Sequence, residues 1–268
     1  MSTSESKYIE KKQFLSQYAH ERSVALRERA AQAIMGSDDE AEWLRSLQEN
    51  LPKFIPFLTG QCGLEFSGRV LEIGAGGAWL SAEISKLPKV VEIISTDFSP
   101  LLLKEQAPKV FLALRANAAK ITRMPGDFHK LDFPNNHFDF VVCSAVLHDA
   151  ANIVQVLREA KRLLKPGGQF VAIREPVWPL VKIKSRSKMV AKLVATGVNE
   201  RFYTLAEYQE FFRQAALPLR VKRVNISSGF KYYFNAVVNG LTHARYAFIG
   251  VKHGPASSRK PAPAARNQ

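Results

Sequence analysis

From residue 69 onward, short β-branched runs alternate with stretches of helical periodicity, and this alternation constrains the fold more than any other feature of the chain. It is typical of βαβ units, in which helices cover both faces of a mainly parallel sheet. We predict strands at residues 69–73, 91–96, 121–124, 138–144, 169–174, 219–226 and 246–251, and helices at residues 78–87, 100–117, 152–164 and 204–216. The expected fold class is therefore α/β, with a doubly wound, Rossmann-like sheet of about seven strands.

Three segments fall outside the alternation and indicate how the chain is organised. We expect a helical cover at 1–60, a domain at 61–253 with a helical lid insertion at 177–203, and a disordered basic tail at 254–268. Within the cover, the polar residues 37–40 have the composition of an N-cap box that opens a helix at 41–58. A second box, Thr204 to Glu207, opens the helix that follows the insertion.

The composition excludes several classes of protein. With 46% hydrophobic and 23% charged residues in a chain of 268, there are enough apolar side chains for a sizeable core, which a disordered protein lacks. No apolar run of about 18 residues predicts a transmembrane helix, and the charged start of the chain lacks the architecture of a secretory signal. Only Cys62 and Cys143 occur, without the paired spacing of a zinc or iron–sulfur site, so we expect no metal and two reduced thiols in a cytoplasmic protein.

Positive charge is concentrated in the last third of the chain. The net charge is +14, and residues 181–268 hold 16 Lys and Arg against 3 acidic residues. Clustered basic side chains raise the local concentration of any anion, whether nucleic acid, anionic lipid or a phosphorylated or carboxylated substrate. A solvated basic surface explains the same counts, so the role of this segment stays open.

The segment VLEIGAGGA at residues 70–78 is an apolar strand that runs into a glycine-rich turn and then a helix. Gly74 and Gly76 let the backbone turn tightly and approach a ligand, while the helix start presents unpaired N–H groups. Asp97 ends the next strand, where an acidic side chain can accept hydrogen bonds from both hydroxyls of a ribose. The pattern indicates a nucleotide-like ligand, although a close strand-to-helix crossing uses the same glycines.

Two classes of cofactor fit this pattern, and two residues separate them. A nicotinamide dinucleotide normally needs a third glycine at the place where Trp79 stands, so the indole argues against it. Glu72 lies two residues before Gly74 and favours a ligand with a cationic end over one with two phosphates. The residues therefore favour a cationic ligand over a dinucleotide.

Four motifs in this order resemble those of the class I S-adenosylmethionine-dependent methyltransferases, in particular their small-molecule, quinone-biosynthesis-like (type 11) group. They are EIGAGGA at 72–78, STDFS at 95–99, GDFHKL at 126–131 with FPNNHFD at 133–139, and KPGG at 165–168, and they span about two-fifths of the chain. Ala78 replaces the common third glycine of the first motif, a mild departure. The resemblance implies S-adenosylmethionine as the cofactor and a sheet whose last strand is antiparallel.

The resemblance also implies roles for individual residues. Asp97 would hold the ribose, and Phe98 would pack near the adenine. Asp127 would accept a hydrogen bond from the adenine amino group, and Phe128 would offer its backbone N–H. The full set of expected cofactor-binding residues is Glu72, Gly74, Ala75, Gly76, Asp97, Phe98, Asp127, Phe128 and Ser144.

Methyl transfer from a sulfonium requires mainly that a nucleophile is held in line with the S–CH3 bond and that water is excluded. A hydroxyl or acidic-carbon acceptor also needs a base, and His148, just past the fourth strand, is the candidate catalytic residue. A histidine that orders the loop explains this position equally well. We expect His129 and His137 at the surface and Cys143 as a buried, inert thiol. Three aromatic residues either line an acceptor pocket or belong to the core, namely Tyr203, Tyr232 and Tyr233.

We therefore expect transfer of a methyl group from S-adenosylmethionine to a small-molecule acceptor, and the basic final third favours an anionic one. Three alternatives stay open: an RNA methyltransferase that uses the basic final third, a nicotinamide oxidoreductase on the same fold, and a non-catalytic nucleotide-binding domain. The first predicts salt-sensitive RNA binding, and the second predicts binding of NAD in place of S-adenosylhomocysteine. The sequence leaves the acceptor, the methylated atom and the oligomeric state undetermined.

Overall fold

The computed structural model describes residues 5–10, 21–177, 203–227 and 245–254 of the chain. Its strands are β1 (Lys7–Tyr8), β2 (Gly68–Ile73), β3 (Val90–Asp97), β4 (Ile121–Pro125), β5 (Phe138–Ser144), β6 (Leu164–Glu175), β7 (Leu219–Arg223) and β8 (Tyr246–Val251). They form one sheet in the order β1-β4-β3-β2-β5-β6-β8-β7. Strand β8 is antiparallel to its neighbours β6 and β7, and the other pairs are parallel. The predicted α/β fold with an antiparallel last strand is confirmed, and the two-residue β1 adds an edge to the expected seven strands.

Helices precede the sheet and connect its strands. They are α1 (Glu21–Ile34), α2 (Glu40–Asn50), α3 (Phe54–Pro56), α4 (Trp79–Ile84), α5 (Ala107–Ala113), α6 (Ile153–Leu163) and α7 (Leu205–Gln214). A π-helical turn extends α3 over Phe57–Gln61, another precedes α5 at Leu102–Gln106, and 3₁₀ turns lie at Ala118–Lys120 and Leu147–Asp149. In α6, apolar residues recur at three- and four-residue spacing from Ile153 to Leu163, and this face is buried against the sheet.

The two predicted helix starts have different outcomes. The box at Thr204 is confirmed, because the Thr204 hydroxyl accepts from the Glu207 N–H at 3.2 Å while Glu207 Oε2 accepts from the Thr204 N–H at 2.7 Å. The box at 37–40 marks the start of α2 correctly, since Asp39 is its N-cap residue, but the Asp39 side chain makes no capping bond. The predicted helix 41–58 is also interrupted, since α2 ends at Asn50 and the nitrogen of Pro52 has no hydrogen to donate.

Both faces of the sheet are covered, which explains why the central strands read as nearly continuous apolar runs. On one face, α3, α4 and α5 pack over a cluster that includes Val142 and Ile249. On the other face, α6 and α7 pack over a cluster that includes Val141 and Phe248. Neighbouring residues of one strand thus enter opposite halves of the core, as the two-residue repeat of a strand requires.

Of the six described non-glycine residues with positive φ, three lie where the central strands end. Ala78, Ala145 and Arg174 lie at or just past the carboxyl ends of β2, β5 and β6, and all three have positive φ angles, of 54°, 57° and 62°. The left-handed conformation is costly for a residue with a Cβ, and such residues are found preferentially at functional sites. The positive φ angles therefore indicate a candidate functional site at this edge of the sheet.

Several predictions fall on residues outside the described ranges. They are most of the lid insertion at 177–203, nearly all of the tail at 254–268, Tyr232 and Tyr233. The division of the chain into cover, domain and tail stays a prediction. Both cysteines are free and buried. Among the described helices, none has the length and apolar character needed to cross a lipid bilayer.

Candidate active site

The glycine loop after β2 uses its two predicted glycines in different ways. At Gly74 (φ +60°), a Cβ would lie 2.6 Å from the side chain of Val146, so this glycine permits close contact with the loop after β5. At Gly76 (φ +53°), a Cβ would meet nothing within 4 Å, so open space adjoins the backbone here. Ala75 is buried and its N–H donates to the Thr96 carbonyl at 2.9 Å, which ties the loop to β3.

Glu72 lies beneath this loop in a buried hydrogen-bond network. Its carboxylate accepts from the Ser81 N–H at 2.9 Å and from the Ser81 hydroxyl at 2.5 Å, and the Ser81 hydroxyl lies 2.7 Å from that of Ser95. Burial raises the pKa of Glu72 to about 8, although the Ser81 hydrogen bonds act in the opposite direction. Glu72 thus anchors α4 to the strands below the loop, and its contact with a cationic ligand stays a prediction.

Asp97 and the glycine loop are directly joined. Asp97 Oδ2 accepts from the Gly76 N–H at 2.7 Å, and Oδ1 accepts from the Ser99 N–H at 2.9 Å. Burial raises the pKa of Asp97, while these two N–H donors favour the charged form. The acidic residue expected to hold a ribose is therefore oriented by the turn expected to approach the same ligand.

Two further predicted residues form an aromatic pair beside this centre. The rings of Phe98 and Phe128 have centroids 5.5 Å apart in an edge-to-face arrangement, with Phe98 half-buried and Phe128 buried. Such a pair presents flat apolar surface of the kind on which a nucleobase stacks. The arrangement brings the second and third motifs into contact.

Asp127 is buried and its nearest partner corrects one expectation. Asp127 Oδ1 accepts from the backbone N–H of His129 at 2.9 Å and lies 2.8 Å from its ring Nδ1. His129 itself is only 3% exposed, so its predicted surface location is wrong. The tight turn from Asp127 to Lys130 folds the imidazole inward onto the carboxylate, which sequence spacing does not reveal.

At the end of β5, Ser144 and Cys143 differ in character. The hydroxyl oxygen of Ser144 is buried, and among the described residues it has no hydrogen-bond partner. Buried hydroxyls are rarely left unpaired, so this atom marks a place where a ligand group or water would bind. Cys143 is fully buried, and burial raises the pKa of its thiol well above the usual range, as expected of an inert cysteine.

His148 lies in the 3₁₀ turn after β5 and is held by a buried glutamate that sequence reasoning missed. Its Nδ1 is 3.0 Å from Glu175 Oε2. Glu175 Oε1 also accepts from the N–H groups of Val146 and Leu147 at 2.8 and 3.1 Å. Burial disfavours protonation of His148, but the hydrogen bond and charge of Glu175, together with the charge of Asp149, raise the pKa of His148 overall. The available signal was an acidic residue at the end of an apolar strand.

Helix α1, which lies within the predicted cover, also reaches this edge through residues that the sequence analysis did not identify. Arg27 donates to Asp149, which follows His148, and the Ser99 hydroxyl donates to Glu28. The charges of Arg27 and Glu28 act on Asp97 in opposite directions, and Arg27 also acts on His148. Helix α1 therefore lies over the region between β3 and the turn after β5.

All nine predicted cofactor-binding residues and His148 thus lie at or near the carboxyl ends of β2 to β5. In open α/β sheets, ligands bind at this edge. Residues 71–172 match a family model described as a methyltransferase domain. This segment is a class I S-adenosylmethionine-dependent methyltransferase domain. The family resemblance inferred from the four motifs is confirmed.

Curated relatives of the methyltransferase domain carry names from quinone biosynthesis. Over 126 residues the chain is 32% identical to the ubiquinone/menaquinone biosynthesis C-methyltransferase UbiE of Pseudomonas putida (strain GB-1). The match covers 47% of this chain and 48% of the relative. The chain is 28% identical over 149 residues to a demethylmenaquinone methyltransferase of Staphylococcus carnosus, covering 55% of this chain and 60% of the relative. The chain thus spans about half the length of the curated relatives it matches.

Solved structures share the fold of the methyltransferase domain. An S-adenosylmethionine-dependent methyltransferase from Mesorhizobium loti superposes with a TM-score of 0.55 at 16% identity, covering 73% of this chain and 97% of that one. A phosphoethanolamine N-methyltransferase from Haemonchus contortus, solved with S-adenosyl-L-methionine, gives 0.57 at 15% identity and covers 76% and 53%. At these identities the likeness establishes the fold alone.

Proposed function

We propose that this chain transfers the methyl group of S-adenosylmethionine to a small-molecule acceptor by in-line displacement. The observation that carries the proposal is the 2.7 Å hydrogen bond from the Gly76 N–H to Asp97 Oδ2, which unites the glycine turn and the ribose-binding acid in one site. The names of the quinone-biosynthesis relatives support a small organic acceptor. The basic final third supports an anionic one.

The residues present fit the cofactor. Open space adjoins Gly76, where a Cβ would meet nothing within 4 Å, so an adenosyl group can approach the backbone. Asp97 supplies carboxylate oxygens for the ribose, and Phe98 and Phe128 supply apolar surface for the adenine. Ser144 supplies a buried hydroxyl with unused hydrogen-bonding capacity among the described residues. We assign cofactor binding to these residues together with the backbone of Gly74 and Ala75, with Asp127 at the adenine and Glu72 beneath the cationic end.

When bound, S-adenosylmethionine supplies an electrophilic methyl group, so the protein contributes position, exclusion of water and, where required, a base. We assign the base to His148. Because Nδ1 lies 3.0 Å from Glu175 Oε2, that nitrogen carries the hydrogen and donates it to the carboxylate. Nε2 is then the basic nitrogen, and at 3.6 Å from Asp149 Oδ2 it makes no close hydrogen bond there. It can take a proton from an acceptor hydroxyl or acidic carbon as the new bond to the methyl group forms.

We expect the N-terminal cover to exclude water from the active site. Helix α1 spans the site through the contacts of Arg27 with Asp149 and of Glu28 with Ser99. Closing an active site in this way also strengthens electrostatic interactions inside it.

Calorimetric titration tests the cofactor assignment. We expect S-adenosylhomocysteine to bind with one-to-one stoichiometry and NAD to give no heat above dilution. Binding of NAD alone would replace methyl transfer by the oxidoreductase alternative. The acceptor is then sought by incubating the protein with radiolabelled S-adenosylmethionine and fractionated small metabolites, and label in a small organic product supports the proposal. Label found only in RNA would support the RNA alternative.

A further inference from the structure

Arg174 has a strained backbone at the edge of the sheet that carries the site. It is the penultimate residue of β6, and the pairing of β6 with β8 shifts register between Ala172 and Glu175. Within this bulge Arg174 has a φ of +62°, a conformation that favours glycine. Bulges next to active sites redirect side chains, and strain of this kind persists only where the surrounding structure enforces it. We therefore expect the strained backbone to position the side chain of Arg174 for a specific function.

The guanidinium of Arg174 lies beside a pair of neighbouring aromatic rings, whose centroids are 5.6 Å apart. Its central carbon is 5.8 Å from the centroid of Trp79 and 5.9 Å from that of Phe54. Trp79 is the first residue of α4, directly after the glycine loop, and Phe54 is a buried residue of α3. The half-buried guanidinium is thus held beside the glycine loop by cation–π contacts, and among the described residues its five N–H donors have no hydrogen-bond partner.

The positive charge of Arg174 is not balanced by an acidic group among the described residues. The neighbouring carboxylate of Glu175 is committed to the loop after β5 and to His148. A second arginine lies nearby instead: Arg245 directly precedes Tyr246, which pairs with Glu175 across β6 and β8. Burial lowers the pKa of the Arg174 guanidinium, and the charge of Arg245 lowers this pKa further. Two arginines whose positive charges act on each other favour the binding of an anion.

We propose that Arg174 and Arg245 form an oxyanion-binding subsite that receives a carboxylate or phosphate group of the acceptor. Planar guanidinium groups bind both kinds of oxyanion through paired N–H donors. The subsite adjoins the glycine loop on one side and Glu175, the partner of His148, on the other. Its assignment to the acceptor rests on the proposed methyl transfer, while anion binding by the two arginines does not.

Trp79 provides a local reporter for the subsite. In a Trp43→Phe, Trp178→Phe background its fluorescence is followed while inorganic phosphate, and separately benzoate, is titrated at constant ionic strength with saturating S-adenosylhomocysteine. We expect saturable binding with a Kd on the order of millimolar, weakened at least about tenfold by Arg174→Asn and roughly threefold by Arg245→Gln. The two anions separate a phosphate subsite from a carboxylate subsite.

The variants are chosen to keep the fold. Asparagine tolerates positive φ better than other residues with a Cβ, so Arg174→Asn removes the charge without adding backbone strain, and Arg245 is exposed. Arg69→Gln is the matched control, because Arg69 lies near the opposite end of β2 and pairs with Glu92. It should leave anion binding unchanged.

Four outcomes overturn the proposal: no saturable anion binding by the parent, equal binding by the parent and both variants, an equal loss in Arg69→Gln, or a loss of S-adenosylhomocysteine affinity in Arg174→Asn with anion binding intact. The last would assign the pair to the carboxylate of the cofactor. Calorimetry with S-adenosylhomocysteine on the same samples separates the two claims. A parent that binds anions but no S-adenosylhomocysteine contradicts the proposed function and leaves the anion subsite standing.

Discussion

Two carboxylates near the glycine loop lie in surroundings that disfavour their charged forms, and for each the hydrogen bonds oppose the effect of burial. Asp97 accepts from two backbone N–H groups, one of which belongs to Gly76. Glu72 accepts from Ser81 and has a pKa of about 8, so near neutral pH much of it is protonated. These two groups should therefore respond differently to a bound cofactor.

Replacing Asp97 should weaken cofactor binding and leave the fold intact. Asp97→Ala removes the charge-assisted acceptors proposed for the ribose, and we expect a loss of about 2 to 3 kcal/mol in the binding of S-adenosylhomocysteine, measured by calorimetry. Glu92→Gln, on the same strand but paired with Arg69 at the surface, is the control and should bind normally. An unchanged dissociation constant in a folded Asp97→Ala protein would refute the ribose assignment.

Binding of the cationic cofactor should release a proton from Glu72. A positive charge near a protonated carboxyl lowers its pKa, so titration of S-adenosylmethionine at pH 7 should release up to about one proton. Calorimetry in imidazole and in Tris buffers, which differ in ionisation enthalpy and supply no oxyanion, measures this number. The release should be smaller with S-adenosylhomocysteine, which lacks the sulfonium charge, and absent in Glu72→Gln. The same release from Glu72→Gln would show that Glu72 is not the source.

The His148–Glu175 pair predicts a defined pH dependence. Since the pKa of His148 is raised above 6.5 in the folded protein, its protonation stabilises the fold below pH 6.5, and this stabilisation is lost as the pH rises through the folded-state pKa. Because the neutral ring is the proposed base, the rate of methyl transfer should rise with pH over the range in which His148 loses its proton. Glu175→Gln keeps an acceptor for the loop N–H groups but removes the charge, so the pKa of His148 should fall.

Proton NMR of the His148 ring measures that pKa directly, and the pH profile of methyl transfer should shift in the same direction. Asp149→Asn is the control, because the charge of Asp149 acts on His148 more weakly than Glu175 does. If the pKa of His148 were the same in Glu175→Gln as in the parent protein, the role of Glu175 would be limited to ordering the loop.

At the scale of elements, the site depends on a helix that belongs to no βαβ unit. Helix α1 contacts the turn after β5 through Arg27 and the segment after β3 through Glu28. The Arg27 side chain is 50% exposed and that of Asp149 15% exposed, and an ion pair exposed to this degree adds little to global stability. We therefore expect this ion pair to restrict the opening of α1 more than it stabilises the fold.

Breaking this contact should open the cover with little loss of stability. For Arg27→Ala we expect the free energy of unfolding to change by less than about 1 kcal/mol, while amide hydrogen exchange in α1 and the dissociation rate of S-adenosylhomocysteine both increase. Arg29→Ala, at an exposed position of the same helix, should change neither quantity. If the rates of hydrogen exchange and of S-adenosylhomocysteine dissociation were the same in Arg27→Ala as in the parent, α1 would not act as a cover.

At the scale of the whole molecule, the uneven charge distribution bears on the choice of acceptor. Residues 181–268 carry 16 basic and 3 acidic residues, enough to attract RNA without any specific site. Attraction of this kind depends on counterion release and is lost as salt is added.

We therefore expect a labelled RNA oligonucleotide to be retained in gel shifts at about 50 mM salt and released by about 200 mM, while affinity for S-adenosylhomocysteine is unaffected. A serum albumin lane at the same concentration controls for retention by protein alone. Since the RNA methyltransferase alternative also predicts salt-sensitive binding, transfer of a radiolabelled methyl group to the retained RNA is the result that would favour it.

Much of the fold was predictable because it is encoded locally. The apolar strands, the helix periodicity of α6 and the capping box at Thr204 all follow from side chains a few residues apart. The sequence also placed the glycine loop and Asp97 at neighbouring strand ends, since parallel strands end at the same edge. Local rules failed at Pro52, because the periodicity of residues 41–58 predicted one longer helix while α2 ends at Asn50.

By itself, then, the sequence determined the α/β alternation, the order of the four motifs and the edge of the sheet at which ligands bind, because these depend on short-range periodicity and turn chemistry. Only the tertiary structure decided which side chains meet there. Asp97 and Gly76 are 21 residues apart, His148 and Glu175 are 27 apart, and Arg27 and Asp149 are 122 apart. Contacts across such separations are set by strand register and by the packing of the cover on the sheet, which no local pattern encodes.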